Sequence, residues 1–275
     1  MPLAEDRTDR TAGQRLPDAL EHFDDIARRL EGRRPALFLD YDGTLTPIVD
    51  RPEQAVLSDA MRAVLAELSR LAPVVVVSGR DRRDVARLVG LENLVYAGSH
   101  GFDIAGPGGL VREHPDAHAY LEPLAGAATE LERRLAGVEG VLVERKRFAV
   151  AVHWRLAAPA DAPEIEAAVD EAVRRHAGLR RTGGKRIFEL RPRIEWDKGR
   201  AVLWLLEALH LDGPEVVPFY VGDDETDEDA FRALKGRGIG IIVADEPRPT
   251  GATYLLADTA AVEEFMRRLL RSFSG

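Results

Sequence analysis

Short apolar segments that alternate with amphipathic segments constrain the fold of this chain more than any other feature of its sequence. Residues 36–39, 74–77 and 94–97 are apolar and have the length of buried strands, and residues 74–77 are four valines. Residues at helical spacing follow the first two of these segments. One predicted helix begins after Ser58, a helix-capping residue, and the other covers residues 81–88. Strands that are apolar on both faces are typical of parallel sheets, so these units predict a sheet that is covered by helices and joined by right-handed crossovers.

The alternation stops near residue 115 and resumes near residue 192. Between these points the pattern predicts a helix, two strands, a helix and a strand, over residues 118–135, 141–144, 148–154, 162–176 and 186–190. This order is typical of a small α+β layer inserted into an α/β domain. The sequence therefore predicts a disordered tail of residues 1–16, a core of residues 17–115 and 192–275, and an inserted α+β layer of residues 116–191.

The composition is that of a globular protein in a reducing compartment. The 275 residues are 45% hydrophobic and 31% charged, carry a net charge of −9 and include no cysteine. The charge argues against a nucleic-acid partner, and the absence of cysteine excludes thiol catalysis and cysteine-ligated zinc. No apolar run reaches the about 18 residues that span a bilayer. We therefore expect a soluble, cytoplasmic monomer without a nucleic-acid or membrane partner.

Two carboxylates stand directly after the first predicted strand. Asp40 and Asp42 are one residue apart, and Gly43 and Thr44 follow them. Ligands of open α/β sheets bind outside the carboxyl ends of the strands. There one acid can act as a nucleophile, its neighbour can move protons, and both can help to hold a hard cation. Asp-x-Asp-Gly can also be a simple turn, and the rest of the chain must decide between these interpretations.

A second acidic segment follows the predicted strand 216–221. Six of the seven residues from Asp223 to Asp229 are acidic. A helix N-terminus favours acids and accounts for the later members of the segment. The adjacent Asp223 and Asp224 need a cation to offset their repulsion, and Mg²⁺, bound by carboxylates, waters and a substrate phosphate, is the simplest candidate. A calcium-binding EF-hand fits less well, because its invariant glycine is missing.

Three further residues complete a predicted phosphate site. Ser78 and Gly79 follow the four-valine strand, and Lys198 opens a predicted helix. The Ser78 hydroxyl and the Gly79 backbone N–H can donate to phosphoryl oxygens. Lys198 supplies the positive charge that an anionic Asp40 needs in order to approach an anionic phosphate. Each residue alone could be a surface turn or a helix cap, so the prediction depends on the whole set.

In this order, these residues resemble the motifs of the haloacid-dehalogenase-like phosphatases. More narrowly, the chain resembles the trehalose-6-phosphate phosphatases over residues 98–101, 143–146, 184–192, 196–199 and 222–231. The resemblance runs from about residue 36 to the C-terminus. It implies an α/β fold: a Rossmann-like, doubly wound parallel sheet core with an inserted α+β cap domain. It also implies the hydrolysis of trehalose 6-phosphate, the last step of trehalose biosynthesis, through an aspartyl phosphate and with Mg²⁺.

The resemblance further implies a role for each site residue. Asp40 would attack phosphorus, and Asp42 would protonate the departing sugar oxygen and then take a proton from the attacking water. Mg²⁺ would be held by the Asp40 carboxylate, the Asp42 backbone carbonyl and Asp223, with Asp227 helping through water. The transferring phosphoryl group would be stabilised by Thr44, Ser78 and Lys198.

Charged residues of the inserted layer are the expected sugar contacts. By resemblance, the trehalose hydroxyls or the phosphate are contacted by Glu144, Lys146, Arg155, Lys185 and Glu189. Side chains alternate between the two faces of a strand, so the predicted strands place Lys185 on one face with Glu189, and Glu144 on one face with Lys146. The alternative for all of them is a solvated sheet face. Two further candidates for lining the cleft, which could equally have structural roles, are Arg80 and His100.

Two other functions remain compatible with the sequence. One is a phosphatase for another glycosyl phosphate, such as sucrose 6-phosphate or mannosyl-3-phosphoglycerate. The other is a catalytically silent module that binds a sugar phosphate. The complete set of Asp40, Asp42, Lys198 and Asp223 argues against the silent module, because such a module needs neither a nucleophile nor a proton shuttle.

Overall fold

The computed structural model describes residues 16–184 and 186–273, which form one eight-stranded and one four-stranded sheet. The strands of the larger sheet are β1 (Arg34–Leu39), β2 (Val74–Val77), β3 (Val95–Gly98), β4 (Asp103–Ala105), β5 (Val111–Glu113), β10 (Val216–Gly222), β11 (Ile239–Val243) and β12 (Tyr254–Leu256). Those of the smaller sheet are β6 (Leu142–Lys146), β7 (Ala149–His153), β8 (Leu179–Gly184) and β9 (Ile187–Pro192). The helices are α1 (Phe23–Leu30), α2 (Asp59–Leu71), α3 (Arg82–Val89), α4 (Leu121–Leu135), α5 (Ala162–Arg175), α6 (Lys198–Ala208), α7 (Glu228–Ala233) and α8 (Thr259–Ser272). None of these helices is long and apolar enough to cross a bilayer.

The larger sheet is parallel apart from one edge, which confirms the predicted α/β class. Its strand order is β12-β11-β10-β1-β2-β3-β4-β5, and β4 and β5 run antiparallel to their neighbours. The chain moves from β1 towards β2 on one side and later fills the other side from β10 outwards. The strand order therefore reverses next to β1, and ligands of open α/β sheets bind at such a switch point.

Two apolar layers cover the faces of the larger sheet. Leu37 and Leu39 of β1 point into a layer with α2 and α8, while Phe38 points into a layer with α6 and α7. Burial on both faces explains why the parallel strands read as continuous apolar runs. Leu16 packs against the second layer, and the rest of the predicted tail 1–16 lies outside the described residues.

The four-stranded sheet, together with α4 and α5, forms a second layered unit that we call the cap. Its strand order is β6-β7-β9-β8, all pairs are antiparallel, and the two helices pack on one face around a separate apolar core. Its strands lie between Leu142 and Pro192, whereas the strands of the larger sheet lie in the two ranges predicted for the core. The boundaries at residues 116 and 191 stay a prediction. Cap and core meet at an aromatic cluster of Phe102, Phe148 and Trp196.

Four strands were not predicted from the sequence. β4, β5 and β12 have three residues each, too few for a periodic pattern, and they form by pairing along an existing edge. β8 has the sequence Leu-Arg-Arg-Thr-Gly-Gly, which lacks apolar alternation, and it pairs along its whole length with β9. The predicted helix 118–135 begins as an α-helix only at Leu121, after a 3₁₀ segment over Pro115–Tyr120.

Candidate active site

Acidic side chains from two neighbouring strands meet at the switch point. Leu39 of β1 pairs with Val221 of β10, and the backbone N–H of Asp40 donates to the Val221 carbonyl at 2.9 Å. Carboxylate oxygens of Asp40, Asp223 and Asp227 lie within 4.8 Å of one another, and all three residues are buried. The two acidic segments of the sequence therefore share one site at the edge of one sheet.

Lys198 lies between two of these acids. It is the first residue of α6, whose N-cap Asp197 accepts a hydrogen bond from the Arg200 backbone N–H at 2.8 Å. The Lys198 Nζ donates to Asp40 Oδ1 at 2.8 Å and to Asp227 Oδ1 at 2.7 Å. Burial alone would lower the pKa of this ammonium group, but the charges of Asp227 and Asp40 outweigh burial and raise it. Lys198 therefore stays positively charged.

The Asp40 carboxyl is pushed in the opposite direction. Burial is the main cause that raises its pKa well above the ordinary value, and the charges of Asp227 and Asp223 add to it against the opposing charge of Lys198. A nucleophilic Asp40 must be ionised. A cation among the three carboxylates favours that form, because its charge opposes the repulsion between them.

Asp227 has the most complete set of hydrogen bonds in the site. Its Oδ1 accepts from Lys198 Nζ at 2.7 Å and from the Tyr220 hydroxyl at 2.6 Å. Its Oδ2 accepts from the backbone N–H groups of Asp223 at 3.0 Å and Asp224 at 2.9 Å. A carboxylate has about four lone-pair positions, so four donors nearly saturate it. Asp227 thus fixes the loop that carries Asp223 as well as the position of Lys198. Asp224 caps the following helical turn, which explains this acid without a cation.

The residues at this point fit a hard divalent cation. The clustered groups are carboxylate oxygens, the ligand type that such cations take. Gly43 has φ of +82°, and a Cβ built on it would lie 2.3 Å from Asp223 Oδ2. A side chain at position 43 would therefore displace the Asp223 carboxylate, and the close approach requires glycine.

Hydroxyl groups and a glycine form the rest of the predicted phosphate site. Thr44 and Ser78 are both buried. Among the described residues the Thr44 hydroxyl has no hydrogen-bond partner, and the Ser78 hydroxyl accepts from the Arg80 backbone N–H at 3.1 Å. Ser78 therefore keeps its own proton available for donation. A Cβ on Gly79 would lie 2.9 Å from the His100 ring, so glycine allows this ring to pack against the turn.

The Asp42 side chain is held apart from the three clustered carboxylates. Arg80 donates to both of its oxygens, from Nε and Nη2, at 2.7 Å each. Arg80 also contacts Asp84 at 3.2 Å. The bidentate pair orients Asp42 at the edge of the cleft, with 40% of its side chain exposed. In the observed geometry Arg80 is a partner of Asp42, a contact that residue spacing did not predict.

Cap residues close over the site through a buried cluster around Glu189. Its carboxylate oxygens accept from Lys146 Nζ and His100 Nε2, each at 2.8 Å. Lys146 Nζ also donates to the Gly79 carbonyl of the core at 3.0 Å. Burial, with the charge of Arg191, lowers the pKa of His100 to about 4, so the ring is neutral at pH 7 and donates its Nε2 proton to Glu189. Two cap residues are thus bonded to two parts of the core.

The remaining predicted cap residues differ in their placement. Glu144 and Lys146 do lie on one face of β6 and both line the cleft. Burial would raise the pKa of Glu144, but a hydrogen bond from His153 at 2.8 Å and the charge of Lys146 lower it. Arg155 lines the cleft and donates to the Val49 carbonyl of the core. Lys185 itself lies outside the described residues.

The expectation that Lys185 shares a strand face with Glu189 stays a prediction, because Lys185 lies outside the described residues. It assumed one regular strand over residues 185–189, but β9 begins at Ile187. The preceding Arg186 has φ of +58°, and Gly184 pairs with Ile187, so a tight connection separates β8 from β9 here. The predicted strand 186–190 therefore corresponds to β9, which begins one residue later and runs to Pro192.

The chain matches the trehalose-phosphatase family model over residues 38–260. It belongs to the trehalose-phosphatase family. A "Probable trehalose-phosphate phosphatase 2" of Oryza sativa subsp. japonica is 42% identical over 276 residues, which cover 92% of this chain and 72% of the relative. A "Trehalose-phosphate phosphatase" of Mycobacterium tuberculosis (strain H37Rv) is 45% identical over 260 residues, or 93% of this chain and 66% of the relative.

Solved structures agree with this fold. The C-terminal domain of a C. albicans trehalose-6-phosphate phosphatase superposes with a TM-score of 0.80 at 23% identity, over 94% of this chain and 99% of that domain. The resemblance stated from the motifs is therefore confirmed as family membership, and with it the enzyme class, a phosphoric monoester hydrolase. The three clustered carboxylates of this chain could hold a metal ion.

Three residues of this trehalose-phosphatase site were missed in the sequence. Arg191 Nε lies 3.3 Å from Glu189 Oε2, and its position two residues further along the same strand could have indicated this. His153 binds Glu144 and lines the cleft at the end of an apolar strand. Tyr220 binds Asp227 from within an apolar strand, where only its hydroxyl distinguishes it from its neighbours.

Proposed function

We propose that this protein hydrolyses trehalose 6-phosphate to trehalose and phosphate through an aspartyl phosphate. The observation that supports this most is a single cleft with two chemically different walls. Asp40 and Lys198 of the core line one wall, and the charged cap residues Glu144, Lys146 and Glu189 line the other. The groups suited to phosphoryl transfer therefore face groups suited to binding sugar hydroxyls.

The reaction begins with the Asp40 carboxylate. One of its oxygens forms a bond to phosphorus while the bond from phosphorus to the sugar oxygen breaks, and the departing oxygen takes a proton from Asp42. A water molecule then attacks the aspartyl phosphate, Asp42 takes its proton, and phosphate and free Asp40 are released. Arg80 orients the Asp42 side chain through its two hydrogen bonds.

Positive charge offsets the repulsion between Asp40 and the phosphoryl group. Lys198 supplies one charge through its contact with Asp40 Oδ1. We assign Mg²⁺ to the carboxylate cluster, where Asp40 and Asp223 would hold it and Asp227, whose lone pairs are taken by four donors, would contribute its charge. The cation would supply electrostatic stabilisation of the phosphoryl oxygens. The Thr44 hydroxyl, buried and without a partner among the described residues, is a further donor for these oxygens.

The cap supplies the part of the site that distinguishes one sugar phosphate from another. Glu189 and Glu144 are acceptors for hydroxyls, and Lys146 is a donor. A site built to hydrogen-bond hydroxyls discriminates strongly, because its buried polar groups are left unpaired by the wrong ligand. A cytoplasmic location and a monomeric state, both expected from the sequence, belong to the same proposal.

Phosphate release from a panel of substrates tests this function. The purified protein is assayed with Mg²⁺ on trehalose 6-phosphate, sucrose 6-phosphate, mannosyl-3-phosphoglycerate and glucose 6-phosphate, with Asp40→Asn as the inactive control. We expect kcat/KM for trehalose 6-phosphate to exceed the others by at least about a hundredfold. A preference for another glycosyl phosphate would reassign the substrate, and binding of trehalose 6-phosphate without turnover would indicate the silent module.

A further inference from the structure

Tyr220 places one hydroxyl inside an apolar layer of the core. It lies on β10, is fully buried, and packs its ring at 5.6 Å and 84° against Phe231. A phenylalanine would fill the same space. A buried hydroxyl costs free energy unless it is hydrogen-bonded, so the partner of this hydroxyl requires an explanation.

That partner connects Tyr220 to the nucleophile in three hydrogen bonds. The Tyr220 hydroxyl donates to Asp227 Oδ1 at 2.6 Å, and the same oxygen accepts from Lys198 Nζ at 2.7 Å. Lys198 Nζ donates in turn to Asp40 Oδ1 at 2.8 Å. Burial and the charge of Asp227 raise the pKa of Tyr220, so the hydroxyl keeps the proton that it donates.

Two donors on one carboxylate oxygen share its negative charge. While the Tyr220 hydroxyl is present, it fixes the orientation of Asp227 Oδ1 and takes up part of the negative charge that would otherwise attract Lys198. Without the hydroxyl, Oδ1 would turn towards Lys198 and draw the ammonium group away from Asp40. The positive charge beside the nucleophile is the quantity that assists phosphoryl transfer, so this shift would slow the chemical step.

We propose that Tyr220 is a positioning residue for phosphoryl transfer, whose hydroxyl orients Asp227 so that Lys198 remains shared with Asp40. The inference rests on the proposed function, since it concerns the same reaction. Tyr220 is not among the residues that line the cleft, so a sugar bound there would not contact it. Its loss should therefore lower kcat and leave KM nearly unchanged.

Tyr96 offers a matched control for the Tyr220→Phe variant. It is also a largely buried tyrosine of the same sheet, on β3, and its hydroxyl donates at 2.6 Å to the Leu91 carbonyl. It packs in the other apolar layer, away from the acidic cluster. Each variant loses one hydroxyl. Tyr96→Phe should lower the melting temperature by about 2–4 °C, and Tyr220→Phe, which loses a hydrogen bond to a carboxylate, should lower it by about twice as much.

The experiment measures kcat and KM of the wild type and both variants on trehalose 6-phosphate and on para-nitrophenyl phosphate, beside their melting curves. We expect Tyr220→Phe to lose about tenfold in kcat on both substrates, with KM within about twofold, while Tyr96→Phe keeps the wild-type kcat. Equal kcat values for the two variants, or a loss confined to KM, would overturn the inference. If the wild type hydrolysed para-nitrophenyl phosphate but not trehalose 6-phosphate, the proposed substrate would fail, and the comparison on the generic ester would still decide the role of Tyr220. A wild type that hydrolysed neither ester would overturn both.

Discussion

Replacing Asp227 by asparagine should cost far more stability than the same change at Asp223. Asp227 accepts four hydrogen bonds of 2.6–3.0 Å, two on each carboxylate oxygen. Asparagine has one accepting oxygen, and its amide group turns two of the four donors into unfavourable contacts. A hydrogen bond to a charged group contributes about 1.5–3 kcal/mol, so the expected loss is about 3–6 kcal/mol. That is a large fraction of a total stability of about 5–15 kcal/mol.

Urea unfolding of the metal-free protein, followed by circular dichroism, measures this difference. Asp223→Asn is the control, because it removes one negative charge from the same cluster but none of the four hydrogen bonds to Asp227. It also removes one of the charges that repel Asp40, so we expect a stability loss below about 1 kcal/mol. Adding Mg²⁺ should stabilise the wild type more than Asp223→Asn. If the free energies of unfolding of the two variants lay within about 1 kcal/mol of each other, the four hydrogen bonds to Asp227 would not stabilise the fold as expected.

Two further predictions concern the contact between cap and core. Glu189→Ala should reduce kcat/KM for trehalose 6-phosphate at least about tenfold more than for para-nitrophenyl phosphate, because only the sugar ester has hydroxyls to bind; equal losses in steady-state assays would argue against a sugar-binding Glu189. His100→Gln should reduce the loss of stability at acid pH. The pKa of His100 is lowered from 6.5 to about 4 in the folded protein, so the unfolded chain binds the extra proton first. The wild type therefore loses stability as the pH falls from 6.5 towards 4. The loss is at most about 3 kcal/mol. Urea unfolding at pH 7 and pH 4.5 measures this loss. If the variant lost as much free energy of unfolding between the two pH values as the wild type does, the assignment to His100 would be refuted.

The meeting of the two acidic segments could be predicted because backbone topology alone determines it. Apolar runs ending in Asp40 and Asp223 mark two parallel strands, and parallel strands end at the same edge of a sheet. The role of Ser58 as a helix cap follows equally from local chemistry, and the structure confirms it: its hydroxyl accepts from the Met61 backbone N–H at 3.0 Å. The cap depends on a few residues that are close in sequence, and the meeting of the two acids depends only on the direction of their strands, so the sequence indicates both.

Contacts between distant elements could not be predicted in this way. Arg80 and Asp42 are 38 positions apart, and His100 and Glu189 are 89 apart, so no local pattern joins them. The short edge strands form only because a neighbouring strand offers hydrogen-bond partners. The late start of β9 has a different cause: Arg186 has a positive φ, which arginine rarely adopts, so the strand begins only at Ile187.

The proposed reaction depends on the covalent phosphorylation of Asp40 by trehalose 6-phosphate, at the cluster where β1 and β10 end. The direct measurement is to mix the protein with trehalose 6-phosphate and Mg²⁺, quench in acid within the first turnover, and map the phosphorylated residue by mass spectrometry. We predict a phosphoryl group on Asp40 that appears before free phosphate and is absent from Asp40→Asn. Free phosphate released without any phosphorylated Asp40, or undiminished turnover by Asp40→Asn, would contradict the account.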